Sequence, residues 1–286
     1  MAEDHRFRLV GGRRYVRGSP YLLPKDDGEM HRLDFQHYML RYALRSNYVA
    51  PISQPHDILD VGTGTSRWAL EMALAFPAAN VIGVDLVAPP VDSTTTKGKQ
   101  ADLRTENYAF VTANILERLP FPGMSFDFVH QRLLVGALPA DRWPEVIAEI
   151  VRVTRPGGWV ELVEAAPALG NGPALQALTE WLVVACEKRG LDAVVGPKIG
   201  TMLQATGLQG VNYQQADLPV GRHGGRLGTL TETNLISFLT SIRGLVLSYG
   251  LTDGQHFDAA LAAAQKEIAR GGVIWPYFVA YGQRPI

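Results

Sequence analysis

The sequence predicts an α/β protein built on a doubly wound, mainly parallel sheet. Three observations carry that expectation. Short apolar runs of strand length recur through the first 165 residues with helical patterns between them. The first run, Asp57-Ile-Leu-Asp-Val61, breaks into the glycine turn Gly62-Thr63-Gly64 and then a helix. The next, Asn80-Val-Ile-Gly-Val-Asp85, ends on an acid. Strand, glycine turn, helix, strand and terminal acid is the arrangement that holds an adenosine-containing cofactor. Glycines let the backbone approach the ligand, and the helix N-terminus offers free N–H groups to a carboxylate or phosphate. Asp85 is placed to accept hydrogen bonds from two ribose hydroxyls. A dinucleotide site would need a third glycine where this chain has Arg67, which weakens a nicotinamide oxidoreductase reading.

The elements follow in order. Residues 1 to about 30 are rich in Arg, Gly and Pro and read as an extended arm. A helical pattern runs from about 28 to 48 on Met30, Leu33, Met39, Leu40 and Leu44, and Pro51 and Pro55 stop it. The strand at 57–61 leads into a helix over about 66–76, then a strand at 80–85. Pro89, Pro90 and the run Ser93 to Thr96 predict a loop over the ligand edge. Strands follow at about 107–112 and 125–130, a helix at about 142–153, and a strand at 159–164 after the turn Pro156-Gly157-Gly158. Near-continuous apolar strands are those of a sheet covered on both faces. Beyond it we expect helices at about 173–189 and 197–206, a strand near 210–217 and a glycine-rich loop with Gly221, Gly224, Gly225 and Gly228. Helices at about 232–249 and 253–270 and a closing strand at 273–281 complete the chain.

Composition bounds the function. The chain has 286 residues, 47% of them hydrophobic, which suits one α/β domain with an elaboration. With 27 basic against 28 acidic residues the net charge is −1, so no nucleic-acid partner is expected. The single cysteine, Cys186, excludes an intrachain disulfide and a cysteine-based zinc site. No metal-ligand cluster appears. No apolar run is long enough to span a bilayer and the N-terminus is polar, so we expect a cytoplasmic protein without a membrane partner.

The run Leu59-Asp60-Val61-Gly62-Thr63-Gly64-Thr65 resembles motif I of the class I S-adenosylmethionine-dependent methyltransferases. That family usually carries a third small residue where Ser66 stands. Asn107 to Asn114, Leu119-Pro120-Phe121-Pro122 with Ser125-Phe126-Asp127, and Arg152-Val153-Thr154-Arg155-Pro156-Gly157-Gly158-Trp159 resemble its later motifs in order and spacing. Tyr21-Leu22-Leu23-Pro24, Asp27-x-Glu29-x-x-Arg32-Leu33-Asp34-x-Gln36-His37 and Ala50-Pro51-Ile52 resemble a subfamily that includes fungal secondary-metabolism regulators and natural-product methyltransferases.

The resemblance implies a Rossmann-like seven-stranded sheet whose last two strands are antiparallel, with a helical lid inserted before the last strand. It implies an arm and cap helix over 1–50, a cofactor-binding core over 51–170, and lid elements and edge strands over 171–286. It implies S-adenosyl-L-methionine as cofactor, held by Asp60, Gly62, Thr63, Gly64, Asp85, Leu86, Asn114, Ile115 and Gln131, with Arg32 on the methionine carboxylate. Tyr21 and His130 are the catalytic candidates, Tyr21 closing over the methyl group and His130 as a base at the end of its strand. A sulfonium-borne methyl needs alignment and exclusion of water more than a strong base. Weak base signals favour a nitrogen or carbon acceptor on a small, fairly hydrophobic natural product over a hydroxyl. The alternative is a regulatory protein that keeps the fold and acts through protein partners. The arm is a candidate for exchange between subunits of a homo-oligomer.

Overall fold

The computed structural model describes residues 7–10, 12–19, 21–89 and 105–286. The expected loop of Pro90 and Ser93 to Thr96 lies outside them. Among the described residues, seven strands form one sheet. Five are parallel: β3 (Asp57–Val61) at the centre, β4 (Asn80–Asp85) and β5 (Tyr108–Thr112) to one side, and β6 (Phe126–Arg132) and β7 (Thr154–Ala165) to the other. Beyond β7 come β9 (Val273–Gln283) and then β8 (Gln209–Val220), both pairing antiparallel. The order β5-β4-β3-β6-β7-β9-β8 reverses direction of travel at β3, so the ends of β3 and β6 open a crevice where ligands bind in open α/β sheets.

Ile58, Leu59 and Val61 of β3 are buried on both faces because helices cover both sides. The helix after β3, α2 (Arg67–Ala75), buries Trp68, Ala69, Met72 and Ala73. Helix α3 (Trp143–Val153) presents Trp143, Val146, Ile147, Ile150 and Val153 to the sheet at i, i+3, i+4 spacing. Helices α4 (Pro173–Glu187), α6 (Gly225–Ser248) and α7 (Gly254–Arg270) pack with α1 (Asp27–Leu44) into one apolar cluster that includes Leu178, Leu239, Ile242 and Phe257. A short helix, α5 (Ile199–Gln204), precedes β8. The N-terminal segment forms a hairpin of β1 (Phe7–Val10) and β2 (Arg13–Val16). It is tied down by the Arg13–Asp26 ion pair at 2.6 Å and by burial of Tyr15.

Two boundaries differ from expectation. Helix α1 is capped by the Asp26 carboxylate on the Glu29 N–H and ends at Arg45 in the left-handed conformation, short of residue 48. The reason is tertiary: the Val49 and Ala50 N–H groups leave the helical path to donate to Glu161 Oε2, at 2.7 and 2.6 Å. The glycine-rich segment is shorter as a loop than expected, because α6 begins at Gly225. Gly228 sits inside that helix against the Gly221 carbonyl, where a Cβ would lie 2.1 Å from the oxygen.

Burial pushes Glu161 up to about 7, and its two backbone donors only partly offset this. A raised carboxyl pKa in the fold means the native state holds a proton that the unfolded chain releases. Between about pH 4.5 and about 7, the wild type should therefore lose stability relative to Glu161→Gln as pH rises, and the difference should level above that window. Urea unfolding of both proteins across pH 4–8 checks it; a pH-independent difference would refute the assignment.

Candidate active site

The carboxyl ends of β3, β4 and β6 open into a cavity of about 390 Å³. Its floor is the glycine turn. Gly62 (φ 71°) and Gly64 (φ 55°) are both left-handed, and so is Ser66 (φ 63°). A serine pays a small penalty there that a glycine would not, which explains the small residue usual at this position. Ser66 is buried and accepts a hydrogen bond from the Tyr108 hydroxyl at 2.6 Å. The N–H groups of Gly62 and Thr63 both donate to the Val84 carbonyl at 2.9 Å, which fastens the turn to β4.

Asp85 ends β4 inside the cavity. Its Oδ2 accepts the Gly64 N–H at 2.9 Å, and Oδ1 lies 3.4 Å from Lys25 Nζ. One carboxylate therefore ties the turn to the arm. Asp60 is buried and has a protein partner on each oxygen: Oδ2 accepts the Thr63 hydroxyl at 2.6 Å, and Oδ1 lies 2.9 Å from His130 Nδ1. Leu86, Asn114 and Ile115 line the same cavity as Asp60, Gly62, Thr63, Gly64, Asp85 and Tyr21. Asn114 Oδ1 caps its own turn by accepting the Leu116 N–H.

Three expected residues lie elsewhere. His130 is buried, stacked on Trp68 at 3.8 Å and 5°, and lines no part of the cavity. Burial pushes its pKa down, with Asp60 opposing, and the ring packs between Asp60 and Trp68 rather than facing the cavity. Gln131 is buried and donates to Glu164 Oε1. Arg32 is locked against Glu29 at 2.6 Å, donates to Asn234 Oδ1, and borders a different cavity. Its fork is already matched to a carboxylate, so it is not the free cation expected of it.

The cavity instead contains Arg132, at the end of β6. Its Nη2 donates to His37 Nδ1 at 3.1 Å, which leaves the histidine proton on Nε2, 3.1 Å from Glu71 Oε2. Among the described residues no carboxylate stands within ion-pair distance of Arg132. Burial pushes its pKa below the usual arginine value, with Asp60 the largest opposing influence. Arg67, the residue that argued against a dinucleotide, lies 3.2 Å from Asp34 and also borders the cavity. Sequence reasoning missed Lys25, Leu133 and Leu134 in the lining. The only local signal for the last two was their position just past the fourth predicted strand.

A second cavity of about 90 Å³ adjoins the first, sharing Tyr21, Leu33, Gln36 and Leu133. The rest of its wall is mostly apolar and comes from the arm, β7, α4, α6 and β9, including Leu23, Leu182, Phe238, Leu239 and Trp275. Its titratable groups are Arg32, already paired, Tyr21 and Cys186. Burial raises both of the latter, Cys186 to about 12.

A methyltransferase domain model matches residues 58–158. The chain is 31% identical over 237 residues to methyltransferase str3 of Strobilurus tenacellus, covering 78% of this chain and 80% of that one. It is 28% identical over 284 residues to N-methyltransferase sirN of Leptosphaeria maculans, covering 93% and 95%. In fold it is similar to phosphoethanolamine N-methyltransferase 2 of Haemonchus contortus in complex with S-adenosyl-L-methionine. There the TM-score is 0.51 at 16% identity, over 90% of this chain and 52% of that one. With the sheet order, the glycine turn and these relatives in agreement, the chain belongs to the class I S-adenosyl-L-methionine-dependent methyltransferases.

Proposed function

We propose that the protein transfers a methyl group to a small, fairly hydrophobic natural product, onto nitrogen or carbon rather than a hydroxyl oxygen. The observation that carries this reading is the second cavity. It adjoins the cofactor cavity, its wall is mostly apolar, and among the described residues it holds no histidine, lysine or carboxylate to take a proton from a hydroxyl. Residues 171–286 act in this reading as lid and edge elements of the core, since α4 and α6 supply Leu175, Leu182, Leu235 and Leu239 to that wall.

The residues of the larger cavity fit S-adenosylmethionine. Glycine positions bare of side chains form the cradle, Asp85 suits the ribose diol, and Arg132 is a desolvated cation without a carboxylate partner among the described residues. When bound, the cofactor supplies a methyl on a sulfonium, already activated for displacement. Leu86 and Ile115 would flank the adenine with Asn114 beside them. Tyr21 and Leu133 stand where the cavities meet and keep water from the line between donor and acceptor.

Arg132 takes the role first given to Arg32, that of carboxylate receptor. Arg132→Gln should weaken S-adenosylhomocysteine binding by about 1.5–3 kcal/mol, the scale for a hydrogen bond to a charged group. It should leave 5′-methylthioadenosine, which lacks the amino acid, unaffected. Calorimetry with both ligands tests this, and an equal loss for both would remove the assignment.

The acceptor reading is tested by filling the second cavity. Ala168 is buried in its wall, and Ala168→Phe should abolish turnover of apolar extract fractions with isotope-labelled cofactor. S-adenosylhomocysteine affinity should stay within about twofold, since the volume is added outside the cofactor cavity. Label found on protein or nucleic acid, or full turnover by the filled variant, would refute the reading.

A further inference from the structure

Leu133 is the hinge of both cavities, lining each of them, and it is a leucine in the left-handed region at φ 59°. A branched residue stays there only where its surroundings over-determine it. The surroundings are visible. The Leu133 N–H donates to the Val163 carbonyl at 2.8 Å. The next two N–H groups, of Leu134 and Val135, donate to Glu164 Oε1 and Oε2 at 2.7 and 3.0 Å. Gln131 Nε2 donates to Oε1 as well. A single carboxylate, with no exposed surface, thus binds three donors from both sides of the strained residue.

What this short segment touches makes its position matter. The Leu134 side chain lies against the glycine turn, so close that a Cβ on Gly62 would be 2.5 Å from Cδ2. The Gly136 carbonyl accepts the Leu22 N–H of the arm at 2.7 Å. Val135 and Gly136 wall the second cavity. The cofactor turn, the acceptor wall and the arm therefore all take their position from residues 133–136.

We propose that Glu164 is a positioning residue, whose carboxylate holds Leu133 in its left-handed conformation and so sets how the cofactor cavity and the acceptor cavity meet. Glu164 borders neither cavity and acts through the loop alone. A neutral amide cannot replace it, because its NH₂ would face backbone donors that need an acceptor. Burial pushes the carboxyl up to about 7, and the three donors around it pull the other way. The proposal rests on the two-cavity reading above.

The test is a double-mutant cycle read by calorimetry with S-adenosylhomocysteine. Glu164→Gln should weaken binding about tenfold or more. Leu133→Gly takes the left-handed conformation unaided, so adding Glu164→Gln to it should weaken binding less than threefold further. Fully additive losses would overturn the proposal, as would a Glu164→Gln protein that loses thermal stability yet binds with wild-type affinity. If circular dichroism shows Glu164→Gln unfolded, Glu164→Asp, which withdraws the same carboxylate by one methylene, replaces it in the cycle with the same expected pattern. Wild-type protein that binds no S-adenosylhomocysteine would instead remove the cofactor assignment of the cavity, a result distinct from additivity in a wild type that binds.

Discussion

Gly62→Val is expected to abolish S-adenosylhomocysteine binding, with affinity reduced more than about 100-fold, that is by over 2.7 kcal/mol. Gly62 has φ 71°, which costs a branched residue about 1–2 kcal/mol. Its Cβ would stand 2.5 Å from Leu134 Cδ2, inside contact distance. Leu134 cannot easily retreat, because it is buried and its N–H is held by Glu164. The turn must therefore move instead, and overpacking of this kind typically costs a further 1–3 kcal/mol or so. Movement breaks the Gly62 and Thr63 bonds to Val84 and lifts the floor of the cavity. Gly64→Ala is the graded control. It has φ 55°, but its Cβ would meet only Leu33 Cδ1 at 3.7 Å, so strain alone should weaken binding far less. Calorimetry on both variants, with circular dichroism to establish folding, decides the matter. Wild-type affinity in a folded Gly62→Val protein would mean that this turn is not the cradle.

Asp85→Ala should weaken S-adenosylhomocysteine by about 1.5–3 kcal/mol, roughly 10- to 100-fold. Two losses combine. The ribose acceptor disappears, and the Gly64 N–H loses the oxygen that holds it at 2.9 Å. Lys25 also loses its partner, which loosens the arm over the cavity. Asp85→Asn separates these effects, since its amide oxygen can still accept from Gly64 while the charge is gone. The asparagine variant should fall between alanine and wild type. Unchanged affinity in folded Asp85→Ala would exclude the residue from the cofactor site.

What was legible in the sequence was what local pattern dictates. The strands at 57–61 and 80–85 are found at their expected limits, because each is an apolar run closed by a turn-former or an acid. The glycine turn and Asp85 meet because one βαβ unit brings them together whatever surrounds it. The last strand runs to Gln283 rather than 281, and the fourth strand to Arg132 rather than His130, since pairing with neighbours decides where a strand stops.

The choice among charged residues was not local. Arg32 and Arg132 are alike in sequence as cations near candidate motifs, yet Glu29, one helical turn from Arg32, closes on it, while Arg132 meets His37 and, among the described residues, no carboxylate. His130 looked like a strand-end base, but Asp60 on the adjacent strand and Trp68 on α2 enclose it. The sequence by itself determined the fold and the meeting of the glycine turn with the acid that ends the next strand, because these follow from periodicity and backbone freedom within some thirty residues. Tertiary structure alone decided which polar groups the protein satisfies and which it leaves for a ligand. Burial raises the cost of an unpaired group, and whether a partner stands within about 3 Å of it depends on elements far apart in the chain.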